Sequence, residues 1–137
     1  MFRKVDDSIS VAGQLSPEDI AEAVRQGFTF IINNRPDGEQ PGQPSGAEME
    51  AAARTAGLGY AAIPITHAGF TEEQVTAMAA ALESAPGPVL AFCRSGTRST
   101  FVWALARVRA GDDAASLAAK AAGAGYDLTP IGPLLRG

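Results

Sequence analysis

Short apolar runs alternate with longer amphipathic segments along the whole chain, and this pattern predicts strands separated by helices. Residues 28–33 and 89–92 are rich in β-branched or aromatic side chains, which is typical of buried strands, and residues 59–65 form a third such run. Strands joined through helices require crossover connections, so the sheet should be mainly parallel and covered on both faces. We therefore expect an α/β fold of three layers, with a central, mostly parallel sheet of four or five strands, in one domain over residues 1–137.

Capping signals set the expected bounds of the first helix. Ser16 is the predicted N-cap, Pro17 lies in the first turn, and Gly27 stands where a C-terminal cap belongs. The apolar stripe of this helix should consist of Ile20, Ala23 and Val24.

The remaining helices follow from similar signals. Capping boxes pair Ser45 with Glu48 and Thr71 with Gln74, which predicts helices over residues 45–57 and 71–85. Apolar periodicity predicts further helices over residues 99–110 and from residue 112 or 113 to 122, and a short one within 129–135.

The composition is that of an ordinary globular protein, with 46% hydrophobic residues and a net charge of -4 at pH 7. This charge offers no basis for binding nucleic acid or an anionic membrane. The only cysteine, Cys93, cannot form an internal disulfide, and the N-terminal residues lack the apolar core of a signal peptide. We therefore expect a soluble cytoplasmic domain with no nucleic-acid or membrane partner.

The stretch "VLAFCRSGTRST" places Cys93 directly after a predicted strand and before a predicted helix. Ligands bind at the carboxyl ends of strands in parallel sheets. A glycine-containing loop before a helix can aim several backbone N–H groups at an anion, and a cysteine there readily becomes a thiolate. Cys93 is therefore the predicted nucleophile, although free cysteines are more often small buried hydrophobes.

The loop supplies further candidates for an anion site. Arg98 offers a planar fork for an oxyanion, and we expect the Ser99 hydroxyl to donate to the thiolate. The residues between the cysteine and this arginine form the predicted anion-binding loop: Arg94, Ser95, Gly96 and Thr97. The Arg94 side chain should point to solvent.

The spacing within this loop resembles two families at once. Protein tyrosine phosphatases carry Cys-x5-Arg, whereas rhodanese-type sulfurtransferases often carry Cys-x4-Arg with an intervening glycine. Here four residues separate Cys93 from Arg98. A ring that is shorter by one residue should hold a single sulfur atom more naturally than a tetrahedral phosphoryl group.

The rest of the chain lacks the Asp-x-Arg and Gly-His-Ile segments of rhodanese. Instead, "IINNRPDGEQPGQPS", "IPIT" and "PVLAFCRSGTRST" resemble the phosphatase-like domain of beta-lactamase-hydrolase-like proteins. This resemblance implies a tyrosine-phosphatase-like fold. It leaves the reaction open, because members are described both as phosphatase-like and as sulfur transferases. It also implies association with sulfide- or persulfide-oxidising enzymes, since members occur fused to such enzymes or beside them.

Two departures from phosphatases of this fold bear on the reaction. Phe92 stands where those enzymes usually have histidine, and the segment "IPITHAGFTEE" lacks the aspartate that serves as their general acid. His67 is the nearby candidate for proton transfer, although a lone histidine on a loop is often simply solvated. Phosphoryl transfer from an ester with a poor leaving group needs such an acid, whereas transfer of sulfane sulfur does not.

A second polar segment, "NNRPDGE", follows another strand end and should lie on the same rim as Cys93. Asn34 and Glu39 belong to this segment. Arg35 could steer an anionic substrate, and Asp37 could act as a remote acid. The alternative is a turn built on Pro36, Asp37 and Gly38 with Arg35 in a surface ion pair.

Together these features predict a cysteine-dependent sulfurtransferase that forms a persulfide on Cys93 and passes the sulfur to an external thiol acceptor. Its substrate should be a small anion, either a sulfane-sulfur donor or a phosphoester, and the motif calls for no metal or cofactor. The first alternative is a phosphatase that acts through a phosphocysteine, with Arg98 as clamp. The second is a non-catalytic oxyanion-binding or redox-sensing module.

Overall fold

The computed structural model describes residues 2–136, which form a five-stranded sheet with helices on both faces. The strands are β1 (Arg3–Asp6), β2 (Ile9–Ala12), β3 (Phe30–Asn33), β4 (Gly59–Ala62) and β5 (Val89–Phe92). The helices are α1 (Asp19–Arg25), α2 (Gly46–Thr55), α3 (Glu72–Ser84), α4 (Thr97–Arg109), α5 (Ala114–Gly123) and α6 (Gly132–Arg136), with a 3-10 turn over Thr129–Ile131. The α/β class and the three layers predicted from the sequence are confirmed.

The strand order β1-β2-β5-β3-β4 places β5, which leads directly into Cys93, at the centre of the sheet. β5 is parallel to both of its neighbours, and Phe92, its last residue, pairs with Ala12 of β2 and Asn33 of β3. The three strands therefore end in register. As a result, the segments that begin at residues 13, 34 and 93 leave the sheet side by side.

Alternating side chains of β5 divide the core between the two faces of the sheet. Val89 and Ala91 belong to the cluster that includes Met78 of α3 and Trp103 of α4. Leu90 and Phe92 belong to the opposite cluster, which includes residues of α1 and α2. Both faces of β5 are thus buried, as expected for a central parallel strand.

The N-terminal hairpin is absent from the sequence-based prediction. β1 and β2 pair antiparallel around a turn in which the Asp6 carboxylate accepts hydrogen bonds from the backbone N–H groups of Ser8 and Ile9. The two strands are only four residues long, so their alternation is too short to stand out from loop. Yet β2 is fully buried and forms one side of the sheet edge that carries Cys93.

Several predicted element bounds need correction. The first helix starts at Asp19, not after Ser16, because Pro17 and Glu18 form a separate turn, and Val24 is 44% exposed instead of buried. α4 starts at Thr97, two residues earlier than predicted, with Gly96 as its N-cap. The strands predicted at 28–33 and 59–65 are shorter at one end. Both predicted capping boxes and the left-handed Gly27, with φ 90°, are confirmed.

Within residues 2–136, the helices are all too short or too polar to cross a lipid bilayer.

Candidate active site

Cys93 lies immediately beyond the central strand and beneath the N-terminus of α4. Its side chain is buried, and its Sγ accepts a hydrogen bond from the Gly96 backbone N–H at 3.1 Å. Gly96 has φ 90°, a left-handed conformation that turns the chain from the loop into the helix. The backbone N–H and the positive end of the α4 dipole both favour a negative charge on the sulfur.

The segments beside the loop hold its backbone in place. The Arg94 carbonyl accepts from the Gln14 N–H at 3.4 Å, and a Cβ on Gly13 would lie 3.0 Å from that carbonyl oxygen. Arg94 itself is exposed, as predicted, and the Ser95 and Thr97 hydroxyls lie 3.1 Å apart at the surface of the loop. The loop thus rests directly on the segment that follows β2.

The Arg98 guanidinium is anchored along two of its edges. Its Nη1 donates to Glu39 Oε2 at 2.8 Å and to the Ile65 carbonyl at 2.7 Å, while Nη2 donates to Glu39 Oε1 at 2.9 Å. A guanidinium has five N–H donors. Within residues 2–136, the Nε–H and the second Nη2–H have no oxygen or nitrogen acceptor. These two parallel donors form an open edge that suits two oxygens of an oxyanion.

The charges around Arg98 keep it protonated. Hydrogen bonding to Glu39 raises the pKa of the Arg98 guanidinium, burial opposes this, and the charge and hydrogen bonding of the Cys93 sulfur add to the increase.

Glu39 binds two arginines. Its carboxylate accepts from Arg98 and also from Arg35 Nε at 2.8 Å. Hydrogen bonding to Arg98 is the largest cause that lowers its pKa to about 2. Burial opposes this effect, and hydrogen bonding to Arg35 and the charges of both arginines lower the pKa further. Glu39 is therefore ionised at neutral pH and cannot donate a proton to a leaving group.

Arg35 is a buried link between loops, and neither role predicted for it fits. Its side chain is 2% exposed, so it is not part of a surface ion pair. Nη1 donates to Gln14 Oε1 and Nη2 donates to Gln40 Oε1, in addition to the Nε contact with Glu39. All three nitrogens are engaged, so Arg35 is not a free charge that could steer a substrate.

Ser99 does not make the predicted bond to the thiolate. Its hydroxyl donates to Asn34 Oδ1 at 2.7 Å, and the Asn34 amide nitrogen donates to the Ile63 carbonyl at 3.0 Å. The second bond fixes the amide so that its oxygen faces Ser99. Both side chains are buried, and the pair ties the start of α4 to the end of β3.

The two candidate acids lie outside this cluster of contacts. Asp37 Oδ1 accepts from the Gly46 N–H at 2.7 Å, at the start of α2, which supports the turn interpretation of this segment. His67 is exposed, within the turn between Thr66 and Gly69. Neither makes a hydrogen bond to the Cys93 loop among residues 2–136.

Two contacts of the site were missed by sequence reasoning. Gln14 follows β2 of the unpredicted hairpin. Had β2 been predicted, Gln14 would have been expected at the same edge of the sheet as Cys93, because it comes just after the end of a parallel strand. Tyr126, from the segment after α5, donates from its hydroxyl to the Ser95 carbonyl at 2.9 Å. Nothing in the local sequence signals this contact, since 31 residues separate the partners.

The comparison with protein families agrees with this arrangement of strand, cysteine loop and helix. A family model for the phosphatase-like domain of beta-lactamase hydrolase-like proteins matches residues 1–111. The chain belongs to this family. The resemblance inferred from the sequence is thereby confirmed, and the family accounts for a cysteine-dependent, phosphatase-like domain.

The chain is similar to one part of larger relatives and to whole solved structures. A beta-lactamase hydrolase-like protein of Xylella fastidiosa (strain Temecula1) is 38% identical over 104 residues, which is 76% of this chain but 24% of that protein. The chain therefore spans about a quarter of the length of the curated relatives that it matches. The crystal structure of a putative phosphatase from Neisseria meningitidis Z2491 is 30% identical, with a TM-score of 0.84, 97% of this chain covered and 94% of the other.

A more distant structure shows the breadth of the fold. TpbA of P. aeruginosa, solved in complex with pTyr, is 18% identical with a TM-score of 0.66, covering 95% of this chain and 79% of the other. The fold is tyrosine-phosphatase-like, as predicted.

Proposed function

We propose that this family member is a sulfurtransferase in which Cys93 carries a persulfide. The observation that supports this proposal most directly is the ionisation state of the Glu39 carboxylate. The carboxylate that contacts Arg98 is held ionised between two arginines, with a pKa of about 2. The site thus combines a favoured thiolate and an oxyanion clamp with a carboxylate that cannot act as an acid.

The proposed step needs no proton donor. The Cys93 thiolate attacks the outer sulfur of a sulfane donor such as thiosulfate, and a new S–S bond forms. The donor's own S–S bond breaks, and sulfite leaves with the electron pair. An external thiolate then attacks the outer sulfur of the Cys93 persulfide, which yields an acceptor persulfide and restores the Cys93 thiolate.

The open edge of Arg98 fits this chemistry. The sulfonate group of thiosulfate presents oxygens that the Nε–H and Nη2–H can bind in parallel. The Gly96 N–H, at 3.1 Å from Sγ, is placed to stabilise the sulfur anion before attack and after transfer. The four-residue ring between Cys93 and Arg98 suits a single sulfur atom.

A phosphatase is the second candidate, and two observations favour it. The family is described as phosphatase-like, and the open edge of Arg98 would also hold a phosphoryl group. In that reaction Cys93 would attack phosphorus to form a phosphocysteine, and water would release phosphate. An aryl phosphate has a good leaving group, so the lack of an acid would not by itself suppress its hydrolysis.

The test compares the two reactions on the same protein. After treatment with thiosulfate or glutathione persulfide, intact-protein mass spectrometry should show one added sulfur, which is lost on reduction and absent from Cys93→Ser. Hydrolysis of an aryl phosphate should be weak across the pH range. Efficient aryl phosphate turnover without a persulfide would overturn the proposal in favour of the phosphatase. Inactivity in both assays would overturn both enzymatic proposals in favour of a non-catalytic redox-sensing or oxyanion-binding module.

The physiological setting follows from the same chemistry. With one cysteine in the chain, the sulfur must leave to an external acceptor, for which we propose a small thiol. The free thiol fits a reducing compartment, and we place the reaction in the cytoplasm. We also propose sulfide- or persulfide-oxidising enzymes as functional partners.

A further inference from the structure

Tyr126 lies outside the part of the chain that the family model matches, yet it contacts the cysteine loop. The matched region ends at residue 111, and Tyr126 follows α5. Its hydroxyl donates to the Ser95 carbonyl at 2.9 Å. The hydroxyl also packs against Gly96, because a Cβ on that glycine would lie 2.2 Å from the tyrosine oxygen.

The Ser95 carbonyl belongs to the same peptide unit as the Gly96 N–H. This N–H is the group that donates to Cys93 Sγ at 3.1 Å. In a planar trans peptide the C=O and the N–H point in opposite directions. A hydrogen bond that holds the carbonyl toward Tyr126 therefore holds the N–H toward the sulfur, and it also polarises the peptide so that the N–H is a stronger donor.

The Tyr126 ring is itself held in place. The Arg3 guanidinium lies 5.8 Å from the ring centroid, and its Nη1 donates to the Ala124 carbonyl at 3.2 Å. The Tyr126 N–H donates to the Ala121 carbonyl at 2.9 Å. Burial raises the pKa of the Tyr126 hydroxyl, opposed by Arg3 and reinforced by the charge of Cys93, so the hydroxyl keeps its proton at neutral pH.

We propose that Tyr126 is a positioning residue that orients the Ser95–Gly96 peptide so that its N–H stabilises the Cys93 thiolate. Through Tyr126, the segment after α5 would thus influence the reactivity of the cysteine loop, which lies 31 residues earlier in the chain. The proposal rests on the proposed function only in that Cys93 is the nucleophile, and it holds equally for sulfur and phosphoryl transfer.

The test replaces the hydroxyl alone, in Tyr126→Phe. Loss of one hydrogen bond of this kind should lower the rate of Cys93 alkylation by iodoacetamide at neutral pH by roughly 2- to 10-fold. The pH profile of alkylation should move to higher pH, which a change in folding stability alone would not cause. Tyr60→Phe is the control, because its hydroxyl donates to the Gly46 carbonyl, away from the loop, and its profile should match the unmodified protein.

Amide hydrogen exchange provides a second measurement that does not depend on activity. The Gly96 N–H should exchange faster in Tyr126→Phe than in Tyr60→Phe, at equal melting temperatures or after correction for them. An alkylation profile and a Gly96 exchange rate that are both unchanged in Tyr126→Phe would overturn the proposal. If Cys93 in the unmodified protein proves unreactive, the proposed function fails, and the Gly96 exchange rate still decides whether Tyr126 holds this peptide.

Discussion

Arg98 and Glu39, which lie 59 positions apart in the chain, meet end-on through two hydrogen bonds of 2.8 and 2.9 Å. Together with the Ile65 carbonyl, this contact occupies two edges of the guanidinium, and among residues 2–136 the Nε–Nη2 edge has no oxygen or nitrogen acceptor. The protein thus orients the arginine without using the donors that a substrate oxyanion would need. The same contact keeps Glu39 ionised, so one ion pair both orients the arginine and keeps a nearby carboxylate from acting as an acid.

Arg98→Lys should reduce turnover by about 100-fold or more, the scale of removing one oxyanion donor. A single ammonium cannot hold both oxygens of Glu39 and also present two parallel N–H groups to a substrate. Steady-state kinetics with the better of the two substrate classes measures the loss. Arg109→Lys, which alters a surface contact with Glu72, is the matched control. If Arg98→Lys keeps most of the activity, the positive charge at this position is sufficient for turnover, and two parallel N–H donors are not required.

Glu39 should make folding stability depend on pH in the acid range. Its pKa falls from an ordinary 4.5 to about 2 in the folded chain, so its stabilising contribution is complete above pH 4.5. The contribution should decrease as the pH drops below 4.5 and be lost below about 2. The thermal unfolding midpoint of Glu39→Gln should lie below that of the unmodified protein at pH 7, and the gap should narrow on acidification.

The control for this pH effect is Glu50→Gln. Glu50 pairs with Arg54 on an exposed helix face, where an ion pair contributes little to stability. Its unfolding midpoint should follow that of the unmodified protein throughout the range. A gap for Glu39→Gln that stays constant from pH 7 to pH 3 would contradict the ion-pair explanation.

Ser99→Ala should destabilise the fold by about 1–3 kcal/mol, because it leaves the buried Asn34 Oδ1 without its donor. A double-mutant cycle with Asn34→Ala, measured by denaturant unfolding, should show clear coupling between the two positions. Ser84→Ala is the comparison, since Ser84 is an exposed residue whose hydroxyl bonds to a carbonyl in its own helix. Coupling near zero would indicate that the Ser99 hydroxyl serves another partner, such as the thiolate.

Asp37→Asn should retain most of the sulfur-transfer turnover, because the Asp37 carboxylate contacts the start of α2 and not the cysteine loop. His67→Gln should do the same, since the proposed step requires no proton donor. The measurement is the turnover of each variant with thiosulfate, and with an aryl phosphate as a second substrate in a parallel assay. A large loss of thiosulfate turnover in either variant would mean that the reaction uses an acid after all.

The helices that carry strong local signals were predictable from the sequence. The capping boxes at Ser45 and Thr71 require partners only three residues away, so their chemistry is visible in the linear chain. The β1–β2 hairpin was not predictable in this way, because its strands of four residues are stabilised by pairing, β1 with β2 and β2 with β5, and not by their own pattern.

For the site, the sequence alone identified the cysteine loop and the rim on which it lies. The motif from Cys93 to Arg98 and the polar residues after β3 are local features, and parallel strands bring their carboxyl ends to one edge. What each side chain contacts was decided by the tertiary structure. Ser99 donates to Asn34, Arg35 donates to Gln14, and Tyr126 donates to Ser95. Each of these bonds joins segments that only the packed sheet and helices bring within hydrogen-bonding distance.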